Sequence, residues 1–526
     1  VAGQGDLAAE PEPALDARLA ADAVALLQRL VRLNTVNPPG NERAAVEHLH
    51  DTLVAAGFEC ELLAVDPQRP NLVARLRPAG AADRAAGVGG RAADAGDGVA
   101  GATRTGDSRS AGPALCYLGH VDTVLADASE WQRDPWSGDL ADGFLWGRGS
   151  LDMKSQVAAE VAAAVSLARA GWRPARGELL IVAVSDEEAG GELGARWLCE
   201  THPEKVRCDM LLNEGGGQHF ELDGQRYYPV CCAEKGVFRF TATATGVAAH
   251  ASMPKLGDNA LLKLAPVLER FATRQAEPVA TTELLALLRG IGEDDSDLAG
   301  ALARLSEREP RLLALLEPTF AVTFAPTRAS ASEKINVIPS RAELRVDCRV
   351  PPGLDEAEVR AAIERVLGGI DGLALRFGGD RSDCGDSGEG GDNGEGGDSG
   401  EDDNRGEDDN RGDGSAAAGE LRIDFIEQIA GNRSPLRSPL MDALGEWVAQ
   451  RDPQARTVPT IFPGFSDSRH FRAAFPGCVA YGFFPQRHQS LLDTQALMHA
   501  PDERIDVRDL AYATECYRDL ALRLLG

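Results

Sequence analysis

Leu118-Gly119-His120-Val121-Asp122, followed downstream by Gly147-Arg148-Gly149-Ser150-Leu151-Asp152-Met153-Lys154, is the stretch on which the fold turns. Ala114 to Leu118 is a short apolar run of strand type that delivers His120 to the end of a buried strand. Asp122 lies two residues on, so both side chains point to one side where the chain stays extended. A carboxylate behind an imidazole fixes the ring's tautomer and raises the basicity of its ligating nitrogen. Asp152 follows a Gly-rich loop and precedes the Ala-rich helical run Gln156 to Ala170, which puts it near a helix N-terminus. By itself a His-x-Asp is more often a satisfied core pair, so its meaning depends on the residues downstream.

Upstream, Leu15, Leu19, Ala23, Leu26, Leu27, Leu30 and Val31 recur at helical spacing until Asn37-Pro38-Pro39-Gly40 stops the pattern. A second amphipathic helix is expected over Glu42 to Ala56, then strands over Glu61 to Val65 and Asn71 to Leu76. Pro78 to Pro113 is almost only Ala, Gly, Asp, Arg, Ser and Thr, a composition that cannot form a core and is expected to be a disordered loop-tip insertion. Downstream, the strand Glu178 to Val184 runs into Ser185-Asp186-Glu187-Glu188-Ala189-Gly190-Gly191. The strand Asp209 to Leu212 ends in Asn213-Glu214-Gly215. Strands alternating with helices predict an α/β fold with parallel strands, and the polar clusters fall just past strand carboxyl ends, where such sheets bind ligands.

At Gly236 the pattern changes. Val237 to Thr245 alternates as a half-exposed strand, and the β-α-β-β-α-β order that follows suits a small α+β domain inserted into the first. Gly378 to Gly419 is a second low-complexity insertion, with 14 acidic residues against 3 arginines between Asp380 and Asp413. Helix–strand alternation resumes from Ser434. The expected division is therefore 13–235 with 431–526 as one discontinuous domain, and 236–430 as the inserted one.

The 526 residues carry a formal net charge of -28, which argues against nucleic acid or an anionic membrane as partner. No run approaches the length of a membrane span. Val1-Ala-Gly-Gln-Gly-Asp has neither a basic nor an apolar leader character, so no secretory signal is expected and little chain is expected before Val1. The ten cysteines are scattered without a C-x-x-C, as in a reduced cytoplasmic chain.

Glu187, Glu188, Glu214 and His499 join His120 and Asp152 as acceptors, each carboxylate at or just beyond a strand end. Burying so many carboxylates together costs several kcal/mol per unpaired charge. One or two cations offset that cost, and mixed imidazole–carboxylate sets suit zinc.

With these motifs the sequence resembles the M20 metallopeptidases, a group of carboxypeptidases, dipeptidases, aminoacylases and acetylornithine or succinyl-diaminopimelate deacylases. The resemblance runs from about Asn34 to the end outside the two insertions. It also includes Ala249-His250-Ala251-Ser252-Met253-Pro254 and His499 followed by Glu503. It implies a zinc-exopeptidase-like catalytic domain, with helices on both faces of a mixed sheet, interrupted by a ferredoxin-like lid or dimerisation domain. It implies two Zn2+, replaceable by Co2+ or Mn2+. His120 and Glu214 would hold one ion, Glu188 and His499 the other, with Asp152 bridging and Asp122 orienting His120. Glu187 would be the general base, and His250 would contact the tetrahedral oxyanion, in dimeric relatives from across the subunit interface. Asn336 and Arg349 match lid residues that bind a substrate carboxylate, and Arg469 is a further candidate for that job. Ala500 departs from the Gly that many relatives carry after the ligand His, and the two insertions are not family features.

The expected activity is cleavage of an amide bond beside a free carboxylate, in a dipeptide or N-acyl amino acid, by a cytoplasmic chain that is either a monomer or a homodimer formed through the lid domain. The alternatives are a dedicated biosynthetic deacylase and a non-catalytic binding protein on the same fold. The second would be marked by a missing base or ligand, and none is missing here.

Overall fold

The computed structural model describes residues 15–79, 112–378 and 419–526. The two expected insertions lie almost wholly outside these residues, as do residues 1–12, expected to be frayed.

Ala114–His120 is buried along its whole length and sits between two parallel neighbours, Glu178–Val184 and Met210–Asn213. A strand buried on both faces reads as a continuous apolar run, which is why these three were legible without alternation. Val479–Gly482 extends the parallel set beyond Met210–Asn213, while Asn71–Leu76 pairs antiparallel with Glu178–Val184. The result is a mixed sheet of eleven described strands. Because the central strands run the same way, His120, the Asp186-Glu187-Glu188 turn and Glu214 all emerge at one edge of the sheet.

Helices cover both faces. Ala17–Val31, Lys154–Arg169 and Val507–Leu525 contribute to the larger core on one side. Ala195–Thr201 and Ser468–Ala474 close the other, where Leu198 and Phe471 meet Cys116, Leu118 and Val182. Lys154–Arg169 is buried almost all round, and its small side chains allow close approach to the strands. A Cβ on Gly119 would come within 2.6 Å of Val157 on that helix, so glycine before His120 is a packing requirement.

A second, five-stranded sheet is built from Gly236–Thr245, Thr323–Ser330, Arg341–Val350, Leu373–Phe377 and Gly419–Ile429, backed by Ala260–Thr273 and Glu356–Leu367. The two chain crossings between the sheets run side by side. Glu234 pairs with Asn432 on one side of the junction, and Val237 pairs with Ile429 on the other. The Leu-rich helices Thr282–Gly290, Leu298–Arg308 and Pro310–Phe320, contiguous in sequence with the smaller sheet, pack instead on the larger one. Leu284, Leu288, Leu305 and Leu316 share a core with Phe220, Tyr227 and Val458. Strands Gln218–Leu222, Gln225–Glu234 and Ala455–Phe462, which supply that surface, do not appear in the reading of the sequence.

Candidate metal centre

His120 ends its strand almost fully buried. Its Nδ1 faces the backbone carbonyl of Asp122 at 3.1 Å and the Asp122 carboxylate at 3.5 Å. Its Nε2 faces Asp152 Oδ1 at 3.1 Å. The other oxygen of Asp152 faces His499 Nε2 at 3.0 Å, and His499 Nε2 also lies 3.6 Å from Glu188 Oε1. One carboxylate thus presents one oxygen to each of two imidazoles.

Asp122 does more than back the imidazole. Its Oδ1 accepts from the amide of Glu187 at 3.2 Å, and its Oδ2 accepts from the amide of Glu188 at 3.1 Å and from Asn37 Nδ2 at 2.9 Å. Asn37, read from sequence only as part of a helix stop, also donates to Asp186, which is paired with Arg69 at 2.9 Å. Asp186 starts the turn in the left-handed region, at φ 76°, a conformation aspartate tolerates better than most residues. The loop carrying Asp152 is held from the far end of the chain: Glu503 accepts from the amides of Gly149, Leu151 and Asp152 and pairs with Arg148.

The electrostatics of the cluster is that of a site short of positive charge. Burial, with the charge of Glu214, pushes the Glu187 carboxyl well above its ordinary range, and burial with the charge of Asp152 does the same to Glu214. The Asp152 hydrogen bond, seconded by Glu188, pushes His499 up to about 10. Burial opposes protonation of His120, but Asp122 and Asp152 overcome it and raise the imidazole well above its usual value. Glu188 Oε1 is buried without a hydrogen-bond partner among the described residues. Ligand atoms of His120, Asp152 and Glu188 lie within 4.8 Å of one another, as do those of His120, Glu187 and Glu214. Glu187 therefore shares a triad with two expected ligands. An orphaned oxygen, crowded buried carboxylates and two imidazoles make a donor set that fits divalent cations.

A family model described as Peptidase family M20/M25/M40 matches residues 116–523. The chain belongs to this family. Among curated relatives, a succinyl-diaminopimelate desuccinylase of Cereibacter sphaeroides is 32% identical over 264 residues, covering 49% of this chain and 58% of the relative. The M20 chain thus spans little more than half the length of that relative. Among solved structures, the M20 metallo-carboxypeptidase Sso-CP2 of Sulfolobus solfataricus superposes with a TM-score of 0.59 at 16% identity, over 96% of this chain and 99% of that one. Human carnosine dipeptidase 1 gives 0.59 at 14% identity, over 98% and 100%. These likenesses establish a shared mixed α/β fold.

Of the remaining expected site residues, Arg469 donates to the Gly190 carbonyl at the end of the Glu187 turn at 2.9 Å, while His250, Asn336 and Arg349 belong to the smaller domain. His250 is exposed on a two-residue strand opposite Val337, and its Nδ1 lies 2.7 Å from Ser252 Oγ. The carbonyl of Asn336 accepts from the amide of Ala251 at 3.0 Å, so the fold brings Asn336 and His250 to one edge of the smaller domain. Among the described residues no hydrogen bond joins either to the cluster. Arg349 pairs with Asp347 at 2.7 Å, and its guanidinium lies 5.2 Å from the centre of the Phe465 ring. Arg469 lies 3.8 Å from the same ring. Asp467, two residues before Arg469, was passed over in the sequence. Burial and the charge of Asp122 raise its carboxyl to about 7, and its Oδ2 has no hydrogen-bond partner among the described residues. Its only signal in the sequence was its place two residues before Arg469.

Proposed function

We propose that this M20 chain hydrolyses an amide bond adjacent to a free carboxylate, in dipeptides or N-acyl amino acids, and that it holds two divalent cations to do so. The observation that carries the reading is Asp152, whose two oxygens face His120 and His499 separately, the disposition of a bridging ligand. His120 with Glu214 would hold one ion and Glu188 with His499 the other. Zinc fits the mixture of imidazole and carboxylate donors, with cobalt or manganese as substitutes. Bound there, the ions would polarise the scissile carbonyl and acidify a water.

The chain's own residues do the rest. Glu187, half-buried beside Glu214, would act as the general base, taking a proton from water and returning it to the departing nitrogen. Asp122 meets His120 through its backbone carbonyl and the amide of Glu187 through its carboxylate, so ligand and base are aligned by one residue. His250 and Asn336, side by side on the smaller domain, would supply the oxyanion contact and a polar contact to substrate. Arg349, beside Phe465, would receive the substrate carboxylate, for which a guanidinium fork is suited.

Exposed Val247, Met253, Leu256 and Ile335 surround the His250 hairpin, an apolar edge that supports a homodimer through the lid domain. The nine described cysteines are all free thiols, which supports a reducing, cytoplasmic setting. Among the described residues no helix is long and apolar enough to cross a membrane.

A second reading, a dedicated biosynthetic deacylase, is favoured by the names of the curated relatives, which are succinyl-diaminopimelate desuccinylases. A panel of dipeptides and N-acyl amino acids, including N-succinyl-diaminopimelate, separates the two. Broad turnover supports the first reading, and turnover of the succinyl substrate alone supports the second. Metal analysis of the purified chain should find two ions, removable by a chelator with loss of activity. Fewer than two ions, or activity that survives chelation, would refute the dinuclear site.

A further inference from the structure

The turn that carries Glu187 is held from both ends. Glu187–Ala189 is a single 3-10 turn, left through Gly190 and Gly191 in positive φ, at 111° and 73°. Asp122 grips its start through the Glu187 and Glu188 amides. Its exit is gripped by a different segment, the loop running from Phe465 into the helix Ser468–Ala474. Arg469 Nη2 donates to the carbonyl of Gly190 at 2.9 Å. A Cβ on Gly191 would come within 2.6 Å of Asp467 Oδ1 and 3.3 Å of His470 Nε2, so both side chains lie directly against the exit. Arg469 Nε is turned toward His470 Nε2 at 3.2 Å, which leaves only Nη1 uncommitted among the described contacts.

The same arginine reaches the other domain. Its guanidinium lies over the Phe465 ring, and Arg349, on the strand Arg341–Val350 of the smaller sheet, approaches that ring too. Arg349 is tied to Asp347, Asp347 to Arg239 at 2.8 Å, and Arg239 to Glu427 at 2.6 Å. A continuous series of side chains therefore runs from three strands of the smaller sheet, through Phe465 and Arg469, to the carbonyl that ends the Glu187 turn. A planar guanidinium can stack on an aromatic face and donate in its own plane at once, which suits Arg469 to this junction.

We propose that Arg469 is a positioning residue for Glu187, and that Phe465, contacted by both Arg469 and Arg349, couples the turn of the general base to the lid domain. The proposal rests on the reading of Glu187 as the base. It assigns Arg469 a structural partner in Gly190, so its main effect falls on turnover rather than on substrate affinity.

Hydrogen–deuterium exchange on the full chain, metal-free and metal-loaded, tests the coupling without any substrate. Loss of the Gly190 contact in Arg469→Ala should speed exchange of the 184–196 segment about tenfold, with Arg469→Lys partly restoring protection. Phe465→Leu should speed exchange in the same segment and also in 341–350, while 114–120 stays protected in every variant as a control for folding. In steady-state assays Arg469→Ala should lower kcat by about 10²-fold, the cost of a misplaced base, with KM changed less than about threefold. Unchanged exchange at 184–196 in Arg469→Ala would overturn the proposal. So would a large rise in KM at constant kcat, which would make Arg469 a substrate ligand. If the wild-type chain cleaved no member of the substrate panel, the functional reading would fail, and the exchange data would still decide whether Arg469 holds the turn.

Discussion

His120 and His250 are the same residue type in two differently built regions. His120 is 1% exposed and contacts Asp122 through one ring nitrogen and Asp152 through the other. Its position follows from a strand paired on both sides. His250 is exposed, on a strand of two residues, with its ring nitrogen engaged only by its near neighbour Ser252 in the described contacts. The first region is a cluster of acidic and imidazole side chains that the fold holds close together. The second is an exposed edge, where the proposed function places a contact to substrate. Loss of a ligand in the first should therefore change metal content and stability together, whereas mutations in the second should change turnover alone.

The sharpest way to break this contrast is at Asp152. Asp152→Ala removes the carboxylate that faces both imidazoles. It should cost roughly 10⁴-fold in turnover, the several kcal/mol expected of a lost dinuclear site, together with at least one bound ion. Retention of both ions by elemental analysis would remove Asp152 as the bridge. Glu187→Gln should lower kcat by about 10³-fold while metal content stays at wild-type level, since it deletes a base and not a ligand. Full activity in that variant would take Glu187 out of the mechanism.

His250→Ala should cost about 10²-fold in kcat, the loss of one oxyanion donor, with metal content and melting temperature unchanged. If His250 acts across a dimer, mixing inactive Glu187→Gln and His250→Ala chains should restore about a quarter of wild-type activity, because half the mixed dimers' sites are intact. No recovery in chains shown to exchange subunits would place His250 within its own subunit. Asp122→Asn, which keeps the shape but loses charge behind His120 and the Glu187 turn, should weaken metal binding or activity about 10- to 100-fold.

The smallest effect concerns stability against pH. Glu187 and Glu214 have folded-state values raised above the ordinary range, so in the metal-free protein their protonation stabilises the fold at low pH. That contribution is lost as pH rises through the folded values, and the raised imidazole of His499 works in the same sense up to about 10. Metal binding needs the ligands among these groups, Glu214 and His499, deprotonated. The gap in Tm between metal-loaded and metal-free chain should therefore widen from pH 5 to pH 8, reaching about 5 °C or more. A gap independent of pH, measured by scanning fluorimetry, would mean that Glu214 and His499 are not ligands.

The sequence by itself determined the strands that carry the site and the residues at their ends. Ala114–His120, Glu178–Val184 and Met210–Asn213 were legible because short apolar runs bounded by glycine and acidic clusters have few other readings. The motif spacing placed His120, Asp152, the two adjacent glutamates, Glu214 and His499 in one candidate set, and a family resemblance assigned their roles. Gln225–Glu234 and Ala455–Phe462 escaped because Pro229 and Pro459 interrupt them and their burial does not alternate. The packing of the Leu-rich helices on the larger sheet escaped because an amphipathic face does not name its partner. Only the tertiary structure decided that Asp122 grips the Glu187 turn as well as an imidazole, that Asp467 closes on Gly191, and that Arg469 meets both that turn and the Phe465 ring. Each of these is a contact between segments far apart in the chain. Local pattern fixes which way a strand and its terminal side chains run, but which distant carbonyl or ring a long side chain meets depends on how the layers pack.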